Sequence, residues 1–191
     1  MDNKQSKKTT STELTEKQIA MLKSATKYTE NDIQEWHTEF IYNCPNGRLD
    51  KKNFTDIYEK FYPNGKVDRY CEYAFNTFDR NNDGTIDFEE FLLSMAATSQ
   101  GSIDDRLGFV FDMYDTSRDG LIDQKQLTSL ISAMFDLLGT SACRVDCDPE
   151  TLAENIMAYL DINGDKKLDK KEFIAGCKNN DSICRLLAPN I

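Results

Sequence analysis

The stretch "DRNNDGTIDFEEF", residues 79–91, decides how this chain is read. With Asp79 as position 1, oxygen-bearing side chains fall at 1, 3 and 5 (Asp79, Asn81, Asp83). Gly84 follows at 6, Ile86 at 8, Asp87 at 9 and Glu90 at 12. A hard cation such as Ca2+ takes roughly six to eight oxygens at about 2.3–2.6 Å, and a twelve-residue loop can wrap it. Positions 1, 3 and 5 would give side-chain oxygens, Thr85 its main-chain carbonyl, Asp87 an oxygen through water, and Glu90 a bidentate carboxylate. Glycine at 6 turns left-handed without a Cβ penalty.

The same skeleton recurs. "DTSRDGLIDQKQL" begins at 115, "DINGDKKLDKKEF" at 161, and a degenerate copy, "YNCPNGRLDKKNF", at 42. The starts lie 37, 36 and 46 residues apart, the period of a supersecondary unit. Apolar residues at helical spacing flank each loop. Cys71, Ala74, Phe75 and Phe78 precede the second, Leu107, Val110, Phe111 and Tyr114 the third, and Leu152, Ile156, Tyr159 and Leu160 the fourth. Phe54, Ile57, Tyr58 and Phe61 follow the first loop, Phe91 and Met95 the second, Leu127, Leu130, Ile131 and Met134 the third, and Phe173 and Cys177 the fourth. Thr29 with Asp32 and Ser102 with Asp105 predict capping boxes, and Asp148-Pro149 a cap with proline in the first turn. The expected fold is all-α, four helix–loop–helix units paired into two lobes. A polar tail spans 1–12, the first pair 13–98, a linker 99–102 within "TSQGS", and the second pair with a C-terminal helix 103–191.

The four loops are not equal. Loop 2 is complete. Loop 4 keeps Asp161, Asn163, Asp165, the carbonyl of Lys167, Asp169 and Glu172, but puts Lys166 at position 6, where a positive φ costs a non-glycine residue ~1 kcal/mol. It is expected to bind more weakly than loop 2. Loop 3 ends in Gln126, which offers one neutral oxygen where glutamate offers two charged ones. That loss predicts binding weaker by about a hundredfold or more, towards the roughly 10⁻⁴ M range, a lapsed site with Mg2+ as a possible occupant. Loop 1, with Tyr42, Cys44, Pro45 and Asn53, has lost nearly all its charge and is expected to hold no metal.

Composition excludes several classes. With 33 acids against 23 bases and a net charge of −10, the chain is no nucleic-acid binder. The six cysteines (44, 71, 143, 147, 177, 184) form no CxxC pair, the first residues are polar, and no run of ~18 apolar residues exists. A reduced, cytoplasmic protein is expected, with no zinc site at Cys143 and Cys147, which have no accompanying histidine. No nucleophile–base constellation, phosphate loop or catalytic zinc spacing argues for an enzyme, and the single histidine, His37, reads as surface or packing.

From about residue 12 onward the chain resembles the neuronal calcium sensors, the group of recoverin, frequenin, neurocalcin and the visinin-like proteins. The resemblance rests on "SATKYTENDIQEWHTEF", Cys44-Pro45-Asn46-Gly47, "FYPNG" at 61–65, "NTFDRNNDGTIDFEEF" and "MYDTSRDGLI". It implies a cytosolic sensor with two EF-hand pairs that opens an apolar groove to a helix of a kinase, cyclase, receptor or channel. By analogy with that motif, the aliphatics at position 8 (Leu49, Ile86, Ile122, Leu168) would join paired loops through short β-bridges. Groove candidates are Trp36, Phe40, Phe54, Phe61, Phe78 and Phe91, and the segment with Ile183, Leu186 and Leu187 could occupy that groove. Two residues depart from the family pattern: Gln126, and Asp2 where a myristoylated glycine is usual. No N-myristoyl anchor is therefore expected, and Lys4, Lys7 and Lys8 give at most weak attraction to anionic lipid. The alternative is a calcium buffer that binds without opening.

Overall fold

Capping chemistry starts most of the helices in this computed structural model, which describes residues 13–139 and 148–188. The tail 1–12, Cys143 and Cys147 lie outside the described residues. The expected boxes form: Thr29 and Asp32 exchange bonds at the head of α2 (Glu30–Asn43), and Ser102 and Asp105 at the head of α6 (Ile103–Tyr114). Asp148 accepts from the Thr151 N–H ahead of α8 (Pro149–Leu160), whose first residue is proline. A further box, Thr15 with Gln18, starts α1 (Glu16–Ala25), a helix the apolar periodicity did not reveal.

The remaining helices are α3 (Lys51–Phe61), α4 (Asp68–Phe78), α5 (Phe88–Ser99), α7 (Gln124–Leu138), α9 (Lys170–Asn179) and α10 (Asp181–Leu187). Four three-residue strands, β1 (Arg48–Asp50), β2 (Thr85–Asp87), β3 (Leu121–Asp123) and β4 (Lys167–Asp169), sit at the loop ends. They pair antiparallel, β1 with β2 and β3 with β4, placing Leu49 opposite Ile86 and Ile122 opposite Leu168. These four aliphatics are buried, so each bridge also nails two loops to the core. The fold is all-α, with EF-hand units in two lobes.

Most of the helical stripes read from sequence face inward. Cys71, Ala74, Phe75 and Phe78 are buried, as are Leu107, Val110, Phe111 and Tyr114, and Leu127, Leu130, Ile131 and Met134. In α8 the stripe is Ala153, Ile156, Met157 and Leu160. Tyr159, assigned inward from spacing, points to solvent because the smaller Ala153 and flexible Met157 fill the interior positions. After loop 1 only Phe54 is fully buried, and Phe61 is 75% exposed.

Helices α4, α6 and α7 join the lobes. The turn between α3 and α4 lies directly on the end of α7: the Lys66 N–H donates to the Asp136 carbonyl at 2.8 Å, and Arg69 stands 3.7 Å from the Asp136 carboxylate. A side chain on Gly65 would collide with the main chain of Leu137, which cannot move aside without unwinding the helix end. Gly65→Ala is therefore expected to lose about 1–3 kcal/mol and lower Tm. A calcium-free thermal melt equal to wild type would contradict this packing.

Candidate metal centres

Loop 2 is already curled around its own acids. Asp79 ends α4 and accepts from the Asp83 N–H at 3.1 Å and the Gly84 N–H at 2.9 Å. Glu90, in the first turn of α5, accepts from the Asn81 N–H and, with its other oxygen, from the Asp87 N–H, each at 3.1 Å. The Asn81 carboxamide oxygen accepts from the Asp83 N–H at 2.8 Å. The Asp83 carboxylate takes the Thr85 hydroxyl at 2.6 Å and N–H at 3.0 Å on one oxygen, and Arg48 at 2.7 Å on the other. The Thr85 hydroxyl above all, with Arg48 assisting, holds the Asp83 carboxyl below its ordinary pKa.

Loop 4 repeats the pattern. Asp161 accepts from the Gly164 and Lys166 N–H groups at 2.8 and 2.9 Å, Asn163 from the Asp165 N–H, and Asp165 from the Lys167 N–H. Glu172 gathers the Ile162, Asn163 and Asp169 N–H groups. Lys166 holds φ 64°, so the left-handed turn expected at position 6 is made without glycine. Among the described residues the buried charged side chains are Asp79, Glu90, Asp115 and Glu172, all at position 1 or 12 of a loop. None has an ion-pair partner among the described residues. Buried carboxylates held by N–H donors, and at Asp115 also by the Ser117 hydroxyl, fit a divalent cation. No cluster of three or more His, Cys, Asp or Glu is already gathered among the described residues.

Positions 9 and 12 have a role that composition alone did not suggest. Asp87 and Glu90, Asp123 and Gln126, and Asp169 and Glu172 each form a capping box at the head of the exiting helix. The D-x-x-E spacing carries that signal. In loop 3 the Asp123 N–H donates to the Gln126 Oε1 at 2.8 Å, which fixes which end of the amide is oxygen. The Nε2 therefore faces the loop and donates to the Ser117 hydroxyl at 3.0 Å and the Thr116 hydroxyl at 3.2 Å. Ser117 in turn donates to Asp115 at 3.1 Å. Gln126 keeps the helix cap and puts a donor where a ligand oxygen would stand.

Loop 1 is held by other means. Gly47 is left-handed at φ 72°, Asn46 accepts from the Arg48 N–H, and Tyr42 at position 1 is exposed. Burial raises the Cys44 thiol pKa, followed by the nearby Asp50 charge.

The comparisons agree with this geometry. The EF-hand domain pair pattern matches residues 104–178 and the EF hand domain pattern residues 70–98. Neuronal calcium sensor 1 of Lymnaea stagnalis is 37% identical over 172 residues, covering 89% of this chain and 90% of that protein. Human recoverin (Homo sapiens) is 33% identical over 166 residues, covering 85% and 83%, and visinin of Gallus gallus 30% over 181, covering 93% and 94%. The chain belongs to the neuronal calcium sensor family. It is an EF-hand, calcium-binding signalling protein.

Other residues take structural places in this sensor. His37 meets Phe88 edge-on at 4.8 Å, and burial lowers its pKa. Cys71 and Cys177 are buried and free, their thiols pushed up to about 11 and about 12 by desolvation first of all. Of the groove candidates, Phe40, Phe54 and Phe78 are in the core, Trp36 and Phe91 are half-buried with rings 5.9 Å apart, and Phe61 is exposed. The end of α10 closes one wall of a cavity of about 480 Å³ whose other walls include Tyr58, Phe78, Met95 and Met134. No described helix is long and apolar enough to cross a membrane.

The left-handed Lys166 yields a test. Lys166→Gly is expected to relieve about 1 kcal/mol of backbone strain and raise Tm by a few degrees. A lower Tm would mean that the lysine stabilises loop 4 by a contact outweighing its backbone.

Proposed function

We propose that this protein is a calcium sensor that takes Ca2+ in loops 2 and 4 and passes the change to a target protein. The ligands would be Asp79, Asn81, Asp83, the Thr85 carbonyl, Asp87 through water and Glu90. In loop 4 they would be Asp161, Asn163, Asp165, the Lys167 carbonyl, Asp169 through water and Glu172. The observation that carries this reading is the burial of Asp79 and Glu90, 5% and 7% exposed, at opposite ends of one loop with no basic partner among the described residues. Bound calcium supplies the missing positive charge. Loop 3 is a weak site at most, with Mg2+ as competitor, and loop 1 holds no metal.

Glu90 and Glu172 link loop to helix. Each sits in the first turn of an exiting helix and bonds back to N–H groups at the start of its loop. Any change in what these carboxylates hold is felt by α5 and α9, which is how EF-hand sensors open a helix pair. The N-terminal lobe, 13–98, would then present its aromatic layer as a groove for an apolar helix, with Trp36, Phe91 and the exposed Phe61 at the mouth. The C-terminal lobe, 103–191, would be the second responsive unit, joined through 99–102. This function is regulatory rather than enzymatic, and the kinds of target would be a kinase, cyclase, receptor or channel. Buried free thiols suit a cytoplasmic setting.

Two measurements test the reading. Calorimetric titration with Ca2+ should find two strong sites, and Gln126→Glu should add a third. An unchanged count in the variant would show that Gln126 is not what disables loop 3. A hydrophobic dye should brighten when Ca2+ is added; binding without brightening would make the protein a buffer.

A further inference from the structure

We infer that Arg48, in the loop that has lost its own ligands, sets the calcium affinity of loop 2 by holding a positive charge against one of its ligand carboxylates. The inference rests on the reading above that Asp83 is a ligand. Position 7 of loop 1 is placed by the β1–β2 bridge, where Arg48 pairs with Asp87 and Asp50 with Thr85. From there the Arg48 guanidinium reaches across 35 residues of chain to the Asp83 Oδ2 at 2.7 Å and the Thr85 hydroxyl at 3.1 Å. Arg48 thus touches the side chain at position 5 and the residue whose carbonyl serves position 7.

A fixed cation beside a ligand already partly neutralises it, so an incoming cation gains less from that carboxylate. Both side chains of the pair are more than a third exposed, 36% and 40%, so water screens the effect and keeps it modest. The second lobe supplies the contrast. Position 7 of loop 3 is Leu121, which pairs with Asp169 as Arg48 pairs with Asp87. Asp165, the counterpart of Asp83, has no ion-pair partner among the described residues. Loop 2 therefore carries a restraint that loop 4 lacks. Each loop holds one non-glycine residue left-handed, Asn82 at φ 56° in loop 2 and Lys166 at φ 64° in loop 4. Asparagine tolerates that turn better than lysine, and the arginine offsets part of that advantage.

The test isolates each loop in the full chain. Calcium is titrated calorimetrically into Glu172→Gln, leaving loop 2, with Arg48 intact or as Arg48→Leu or Arg48→Lys, at about 0.01 M and about 1 M KCl. Arg48→Leu should bind about two- to fivefold more tightly at low salt, with the gain vanishing at high salt. Arg48→Lys should stay near the parent. Reciprocally, Leu121→Arg on a Glu90→Gln background should weaken loop 4 at low salt. Unchanged or weaker binding by Arg48→Leu, or a gain that persists in high salt, overturns the inference. Strong binding that survives in Glu90→Gln/Glu172→Gln overturns the ligand assignment itself, and the inference with it.

Discussion

Buried carboxylates without a basic partner among the described residues are the constraint around which this structure is arranged. Asp79 and Glu90 close the two ends of loop 2, while Asp161, half-buried, and Glu172 close loop 4, and every one is met by main-chain N–H groups. Taking a carboxylate out of water costs several kcal/mol unless hydrogen bonds and an opposite charge restore what is lost. The N–H groups supply the first and leave the second open. The loops are thus folded as anionic cups, and the helices on either side are oriented by residues belonging to those cups.

The position 9 and 12 pair explains how loop 3 keeps its shape with glutamine at position 12. A capping box needs an acceptor at 12 that reaches the N–H of position 9, and Gln126 serves there as well as glutamate does. A metal would draw on charge as well, and there an amide offers less than a carboxylate. The two requirements would coincide at Glu90 and Glu172 and separate at Gln126. Helix α7 therefore starts where it should, Ile122 still meets Leu168, and the second lobe keeps its architecture.

Much of this was legible along the chain because it depends on local spacing. The twelve-residue skeleton and the capping boxes at Thr29 and Ser102 follow from residues close in sequence, whereas the pairing of position 8 aliphatics was expected only by analogy with the motif. Local signals also existed for α1, through Thr15 and Gln18, but its weak apolar stripe hid them. Tyr159 was misplaced because helical spacing alone cannot tell two adjacent stripes apart when alanine and methionine can fill one of them. Contacts between distant residues left no trace in the spacing. Arg48 on Asp83, and Gly65 against Leu137, depend on how whole units meet.

The meeting of the units bears on how a signal at loop 2 could spread. Arg118, at position 4 of loop 3 and left-handed at φ 57°, donates to the Asn76 carbonyl at 2.7 Å. Asn76 lies in the last turn of α4, where free carbonyls carry the negative end of the helix dipole and a cation is favoured. Three residues later comes Asp79. Loop 3 is therefore attached to the helix that feeds loop 2. The opposite end of the same unit is held too, through Lys66 and Arg69 on Asp136 near the end of α7. A helix gripped at both ends by the other lobe cannot turn without moving what grips it. Loops 1 and 3 thus each place an arginine against the second unit, one on the Asp83 carboxylate and one on the entering helix.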